Sequence, residues 1–215
     1  MNTTLNEIRL HRPCKESWEK LLCGLNKTRA DNKPLSYSTI LKLCGLDDTL
    51  WAINCCHPHG PQICAEFALW CAESIHHMLQ DSRSIIALYV TRQYLDGDAT
   101  PEQLRETVIA SWAAAHAADL TMTAADTVAR TANWMADCAA NCAAARRAAW
   151  AVHCAADCAT TTRRAAWAVP CNANWMAARA AQWTATDAIT RKAQNRRLLE
   201  LEKNMLPPEP HLTKT

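Results

Sequence analysis

Glycine and aromatic residues other than tryptophan are scarce in this chain of 215 residues. It has four glycines, one phenylalanine and three tyrosines, against nine tryptophans. Strands and tight turns draw on glycine, aromatic and β-branched residues, so this shortage favours an all-α protein over a sheet-based one. The chain is long enough to bury a substantial core, in one domain or in two closely packed ones.

Long apolar runs and a secretory signal are also missing. No stretch approaches the roughly 18 apolar residues of a membrane span, and the N-terminus lacks a charged segment followed by an apolar one. We therefore expect a cytoplasmic protein without membrane contact, whose twelve cysteines stay reduced. On alanine-rich helices such thiols act as small apolar side chains in closely packed interfaces.

Neither sign of charge dominates, since the formal net charge is only +2. Residues 1–100 carry ten lysines and arginines against eleven acidic residues, whereas residues 101–215 carry thirteen against ten. The basic excess in the second half indicates an anionic partner. Because no acid, base or nucleophile is positioned by a recognisable motif, we expect no catalytic residues, no cofactor and no enzymatic activity.

The second half is rich in alanine, with tryptophan, cysteine and paired arginines recurring along it. Successive units begin 16, 17 and 16 residues apart, and in the first two units cysteines follow tryptophan by four and eight residues. Steps of four advance a helix by only about 40°, so each set forms one stripe, which we predict to be buried. The units begin at Trp134, Trp150, Trp167 and Trp183, and the cysteines of the first two are Cys138, Cys142, Cys154 and Cys158.

These patterns predict three parts in the chain. Residues 1–99 form a compact N-terminal helical bundle, and residues 100–205 form long antiparallel helices, rich in alanine and tryptophan, that pack on it. Residues 206–215 contain three prolines and form a disordered tail. The sequence leaves open whether the repeat region is one rod or a helical hairpin, and it does not give the oligomeric state.

Start and stop signals divide the chain before Thr100 into short helices. Each begins at a capping side chain or a proline, and several end at glycine. Thr100, Pro101 and Gln103 together form a capping-box start for a helix that runs to about Asp119. The shorter helices are expected from Pro13 to Gly24, from Ser36 to Gly45, from Asp47 or Asp48 to Cys55 with Trp51 facing inward, from Gln62 to Met78, and from Ser82 to Gly97.

One group of cysteines and histidines leaves zinc binding open. Cys55, Cys56, His57, His59 and Cys64 lie close together in the sequence, and thiolate and neutral imidazole are the usual zinc ligands. The group has no C-x2-C pairs, however, and its last thiol falls on an apolar helical face. We therefore expect no metal and assign these thiols to packing.

A resemblance to a known family begins in residues 11–51, HRPCKESWEKLLCGLNKTRADNKPLSYSTILKLCGLDDTLW. This segment resembles the opening of immunity proteins encoded beside bacterial polymorphic toxins and in phage and prophage genomes. The resemblance continues in CAEFALWCAESIHHML, in LDGDATPEQL and in the alanine-rich tail, and departs at CCHPHGPQIC, where that family has fewer cysteines. It implies an all-α, non-enzymatic, intracellular protein that binds and neutralises another protein.

The leading hypothesis is therefore a protein-binding inhibitor, either an immunity protein against a toxin or a phage-borne or prophage-borne anti-defence factor. Its arginines would contact an acidic protein partner, because guanidinium groups pair with carboxylates in a bidentate geometry. The alternative is a nucleic-acid-binding protein that uses the same arginine-rich face, which the expected burial of the tryptophans disfavours. The predicted contact residues are Arg146, Arg147, Arg163, Arg164 and Arg179.

Overall fold

A computed structural model describes residues 2–79, 81–129, 171–184 and 188–205, with six positions between 151 and 159. Throughout this described part the chain is mainly all-α, as the composition predicts. Two short strands, β1 (Asn2–Thr3) and β2 (Leu35–Ser36), pair antiparallel, with Asn2 opposite Ser36 and Thr3 opposite Leu35. This small sheet ties the start of the chain to the loop before the third helix.

Helices of very different length build the described part. A single turn of 3-10 helix, His76–Met78, follows the fifth of them. None of the helices in the described ranges is long and apolar enough to cross a membrane. The α-helices are α1 (Leu5–Leu10), α2 (Lys15–Gly24), α3 (Tyr37–Cys44), α4 (Leu46–Cys56), α5 (Gly60–Ser74), α6 (Ser82–Asp96), α7 (Pro101–Ala129), α8 (Cys171–Thr184) and α9 (Ala188–Asn204).

Two predicted helix caps are confirmed by their hydrogen bonds. Ser36 caps α3 with a side chain that accepts from the Thr39 amide, and Gly45, at φ 96°, ends that helix. At the start of α7, the Thr100 amide donates to Gln103 Oε1 at 2.7 Å, and the Gln103 amide donates to Thr100 Oγ1 at 3.2 Å. Each cap satisfies amides that the first helical turn leaves without a partner.

Two predicted helix starts are wrong, because a neighbouring residue is the cap. Cys14 is the N-cap of α2, so Pro13 lies outside the helix instead of at its first position. Asp81, and not Ser82, caps α6, since the Asp81 carboxylate accepts from the Arg83 amide at 2.8 Å. A carboxylate serves this role as well as a serine hydroxyl does, so the two adjacent candidates compete.

The limits of α4 and α5 also differ from the prediction. The N-cap of α4 is Gly45, so Asp47 and Asp48 lie in the first turn instead of capping it. Carboxylates are favourable there because they face the positive end of the helix dipole. Helix α5 ends at Ser74, and only the 3-10 turn continues to Met78.

The predicted end of α6 is confirmed, whereas the predicted end of α7 is wrong. Helix α6 ends as predicted at Gly97, which takes the left-handed conformation at φ 95°. Helix α7 runs to Ala129, past Asp119, where the sequence prediction ended it. The added stretch contains neither glycine nor proline, so alanine-rich sequence simply continues the helix.

Helix α5 lies at the centre of the described fold. Its buried residues cover most of the helix circumference, from the large Ile63 and Phe67 to the small Ala65, Ala68 and Ala72. A helix that is apolar over most of its surface has to be covered on several sides. Accordingly α5 contacts α4, α6, α8 and α9.

Alanines of α8 are buried together with residues of α5. Ala177, Ala180 and Ala181 of α8 are fully buried in the same core cluster as the α5 residues. Helix α9 joins this layer through a polar group, since Gln194 Nε2 donates to the Ala181 carbonyl at 2.9 Å and to Thr184 Oγ1 at 2.8 Å. Small side chains bring the helices close, and one amide fixes how they meet.

The described part of the repeat region supports the predicted stripe at one position. Cys154 is buried, together with Ala151, Val152 and Ala155, so the prediction is confirmed there. For the remaining stripe residues, either the whole residue or its side chain lies outside the part that the structure describes. The tail at 206–215 also lies outside that part. The remaining stripe residues are Trp134, Cys138, Cys142, Trp150, Cys158, Trp167 and Trp183.

Gly60 lies where the first turn of α5 meets the backbone of α4. A Cβ added to Gly60 would lie 2.4 Å from the Ile53 carbonyl oxygen and 2.7 Å from Asn54 Cα. Because backbone atoms yield less than a side-chain tip, we expect Gly60→Ala to lower the free energy of unfolding by about 2–3 kcal/mol. Chemical denaturation followed by circular dichroism measures this loss.

Gly24→Ala is the matched control for this prediction. At Gly24 an added Cβ meets only the end of the Leu43 side chain, with Cδ2 at 2.8 Å, and that side chain can rotate away. We expect a change below about 1 kcal/mol in the control. Equal losses in the two variants would contradict the close backbone contact at Gly60.

Candidate functional site

An open groove of about 230 Å³ lies between helices α1, α2, α3 and α4. Its floor is apolar and consists of the buried side chains of Ile8, Leu21 and Ile40. Trp18 of α2 and Trp51 of α4 line the groove and are only half-buried. Part of each indole therefore remains open to solvent beside an apolar floor.

Helical spacing brings polar side chains to the same groove as the indoles. On α4, Trp51 follows Asp47 by four residues and Asp48 by three, which places the three on one face. At the start of α2, Trp18 follows Cys14 by four residues in the same way. The lining therefore combines the two indoles with the carboxylates of Asp47 and Asp48.

A chain of hydrogen bonds crosses the groove from α2 to α4. The Cys14 thiol donates to Ser17 Oγ at 3.0 Å, and Ser17 Oγ donates to Asp48 Oδ1 at 2.8 Å. The Ser17 amide in turn donates to Cys14 Sγ at 3.4 Å. The Ser17 hydroxyl thus accepts one hydrogen bond and donates another, and the donated bond holds the Asp48 carboxylate in place.

Negative charge lies along one edge of the groove. Asp47 and Asp48 are the charged residues of its described lining; Asp47 is exposed and Asp48 is half-buried. Lys20, from outside the lining, donates from Nζ to the Cys44 carbonyl at 2.9 Å. There it bonds a last-turn carbonyl of α3 and ties α2 to that helix.

A strained residue marks the turn into the groove. Arg12 has φ 54°, in the left-handed region, and directly precedes Pro13, a lining residue. A non-glycine residue in that conformation costs about 1 kcal/mol. Such strain occurs preferentially at functional sites, where surrounding structure holds it.

A second polar cluster is buried where α9 meets α3 and α4. The rings of Tyr37 and His57 are 6.0 Å apart, and Glu202 of α9 is buried with them. Burial is the main cause that lowers the pKa of His57 from its ordinary 6.5, and the nearby Glu202 carboxylate opposes it. Burial likewise raises the pKa of Tyr37 above its ordinary value. Within the described residues, His57 Nδ1 accepts from the His59 amide at 3.1 Å, and Nε2 has no partner.

The cysteines and histidines that are crowded in sequence do not meet in space as a metal site. Cys64 is fully buried in the core, where its thiol lies 3.8 Å from the Leu50 carbonyl oxygen. Burial raises the pKa of the Cys64 thiol, and raises that of Cys56 to about 12. Among the residues that the structure describes, no three His, Cys, Asp or Glu side chains are grouped to hold a metal ion.

The structure describes one of the five arginines of the predicted surface. Arg146, Arg147, Arg163 and Arg164 lie outside the described residues. Arg179 lies on α8 and is half-buried. The common surface of these five arginines stays a prediction.

The groove itself was missed by sequence reasoning, which placed Trp51 facing inward. The available signal was the set of residues at helical spacing from each tryptophan. A core tryptophan has apolar neighbours three and four residues away, whereas Trp51 has Asp48 and Asp47. That mixture is typical of a residue at the edge of the core.

No protein-family model matches the chain, and neither a curated protein nor a solved structure matches it. What the groove can do follows from its shape, its indoles and its two carboxylates.

The buried His57 predicts how stability depends on pH. Its pKa is lowered on folding, so the unfolded chain binds the proton more readily. The stabilisation is complete above the unfolded pKa of about 6.5 and is lost as the pH falls below it. We expect the free energy of unfolding, measured by denaturant titration, to fall as the pH drops from neutral through 6.5.

His57→Gln removes the titrating ring and should flatten this decline, while His76→Gln, at an exposed position, should leave it in place. Glu202 and Tyr37 face His57, and neither is changed by these substitutions. The same decline in the His57→Gln variant as in the parent would assign the pH dependence to other groups.

Proposed function

We propose that this chain is a protein-binding inhibitor whose groove between α1 and α4 receives a side chain of the protein that it neutralises. The observation that carries the proposal is the pair of half-buried indoles, Trp18 and Trp51, beside an apolar floor. Tryptophan is among the residues most enriched at the binding hot spots of protein interfaces. A preformed pocket of this kind fits an anchoring side chain.

The size of the groove supports a side chain over a cofactor. Small-molecule and cofactor sites usually measure about 300–1,000 Å³, and this groove measures about 230 Å³. One or two side chains fill such a space. The groove therefore suits an anchor that belongs to a larger protein surface.

The family resemblance supports the same proposal. The segment that resembles immunity proteins, residues 11–51, supplies the whole lining of the groove apart from Ile8 and Ala52. On this proposal the partner is a toxin, or a host defence protein if the chain is carried by a phage or prophage. The predicted arginine surface would contact an acidic region of that partner.

Replacing the groove tryptophans tests the proposal. A partner is first isolated by cross-linking in the native host, and its affinity is then measured with purified proteins. We expect Trp18→Leu and Trp51→Leu each to weaken binding by about 30-fold, the effect of losing a hot spot of roughly 2 kcal/mol. Leucine keeps apolar volume at each site, and thermal unfolding verifies that the variants are folded.

Trp112→Leu is the control for these variants, because Trp112 is exposed on α7 and lies outside the groove. Its affinity for the partner should match that of the parent. Unchanged affinity in folded Trp18→Leu and Trp51→Leu variants would remove the groove from the mechanism.

The arginine surface is tested by a variant with glutamine at four positions, Arg146, Arg147, Arg163 and Arg164. We expect slower association with the partner and a weaker salt dependence, because exposed charges act mainly on the association rate. Stability should change by less than about 1 kcal/mol. Tight DNA binding by the parent, with a steep salt dependence, would favour the nucleic-acid alternative instead.

A further inference from the structure

The groove also has a chemical preference. We infer that it takes the side chain of a lysine or arginine on the partner protein. The inference rests on the proposed function and adds the identity of the inserted group. Three features of the groove support this inference: its negative charge, its apolar floor and its two indoles.

The charge of the lining favours a cation. Asp47 and Asp48 stand at one edge, and the described lining contains no lysine, arginine or histidine. An inserted carboxylate would meet two like charges, which costs affinity. An inserted apolar side chain would cover the carboxylates without pairing them, which leaves their desolvation uncompensated.

The apolar floor favours a side chain with an aliphatic stem. Lysine and arginine lay their methylene groups on apolar surface and keep the charged end at the polar edge. Here the stem would lie over Ile8, Leu21 and Ile40, and the cation would reach the edge at Asp47 and Asp48. A compact inorganic cation would make no use of this floor.

The indoles and the fixed carboxylate complete the match. Trp18 and Trp51 line the groove and are half-buried, and an indole ring attracts a cation through its quadrupole. Asp48 is held by the hydroxyl of Ser17, which donates to Oδ1 at 2.8 Å. Since a carboxylate accepts several hydrogen bonds, Asp48 keeps acceptor capacity for an ammonium or guanidinium group.

Blocked amino acids test this preference without the partner. The probes are Nα-acetyl amides of lysine, arginine, norleucine and glutamate, titrated into the full chain while the indole N–H signals are followed by NMR. Trp18→Leu and Trp51→Leu identify the two groove signals. We expect the lysine and arginine probes to bind at least about fivefold more tightly than norleucine, and the glutamate probe to give no shift of these signals.

Asp47→Asn and Asp48→Asn locate the source of the preference. Each should reduce the advantage of lysine over norleucine by about threefold. Asp47 is exposed, so Asp47→Asn is expected to fold even if Asp48→Asn, which alters the bond from Ser17, does not. Glu16→Gln is the control, since Glu16 is an exposed acidic residue of α2 outside the lining, and it should keep the full preference.

Three results would overturn the inference. Norleucine could bind as tightly as lysine, the preference could survive Asp47→Asn, or putrescine could bind more tightly than the lysine probe, which would identify a free diamine as the ligand. These outcomes are separate from the proposed function. If Trp18→Leu lost partner binding while the lysine and norleucine probes bound equally well, the proposed inhibitor function would stand. Only the inference of a basic side chain would then be rejected.

Discussion

Close approach of helix backbones around α5 is the constraint on which the described structure depends. Helix α5 is buried over most of its circumference, and alanines of α5 and α8 lie in the same core cluster. Each alanine removes little apolar area from water, so its main contribution is to let whole helices come near and gain many weak dispersion contacts. Gly60 is the extreme case, because the backbone of α4 occupies the space of its missing Cβ.

The groove is a consequence of how α4 is held against α5. Leu50 and Ile53 of α4 are fully buried, which leaves the helix face with Asp47, Asp48 and Trp51 at the edge of the core. Helix α2 closes the other side, tied by the Lys20 bond to α3 and by the Ser17 bond to Asp48. A functional surface thus arises where two helices present the faces that the core does not cover.

Polar side chains join the C-terminal helices to the N-terminal ones. Gln194 of α9 bonds α8 and also lies 3.9 Å from Cys71 Sγ on α5, 123 residues earlier in the chain. Glu202, on the same helix, is buried near His57 and Tyr37. Apolar contacts alone would allow α9 to slide, whereas buried polar groups lose free energy unless their partners are in register. These contacts therefore help to set the position of α9.

The sequence by itself determined the all-α class and those helix limits that depend on local hydrogen bonds, such as Ser36 to Gly45 and the capping box at Thr100. It failed where adjacent residues compete for one cap, as with Asp81 and Ser82, since single-residue preferences are nearly equal. Only the tertiary structure decided that Trp18 and Trp51 line a groove, because the exposure of a side chain depends on residues that approach it from other helices. The same physical reason separates Cys64 from the histidines beside it in sequence: helix α5 carries its thiol into the core.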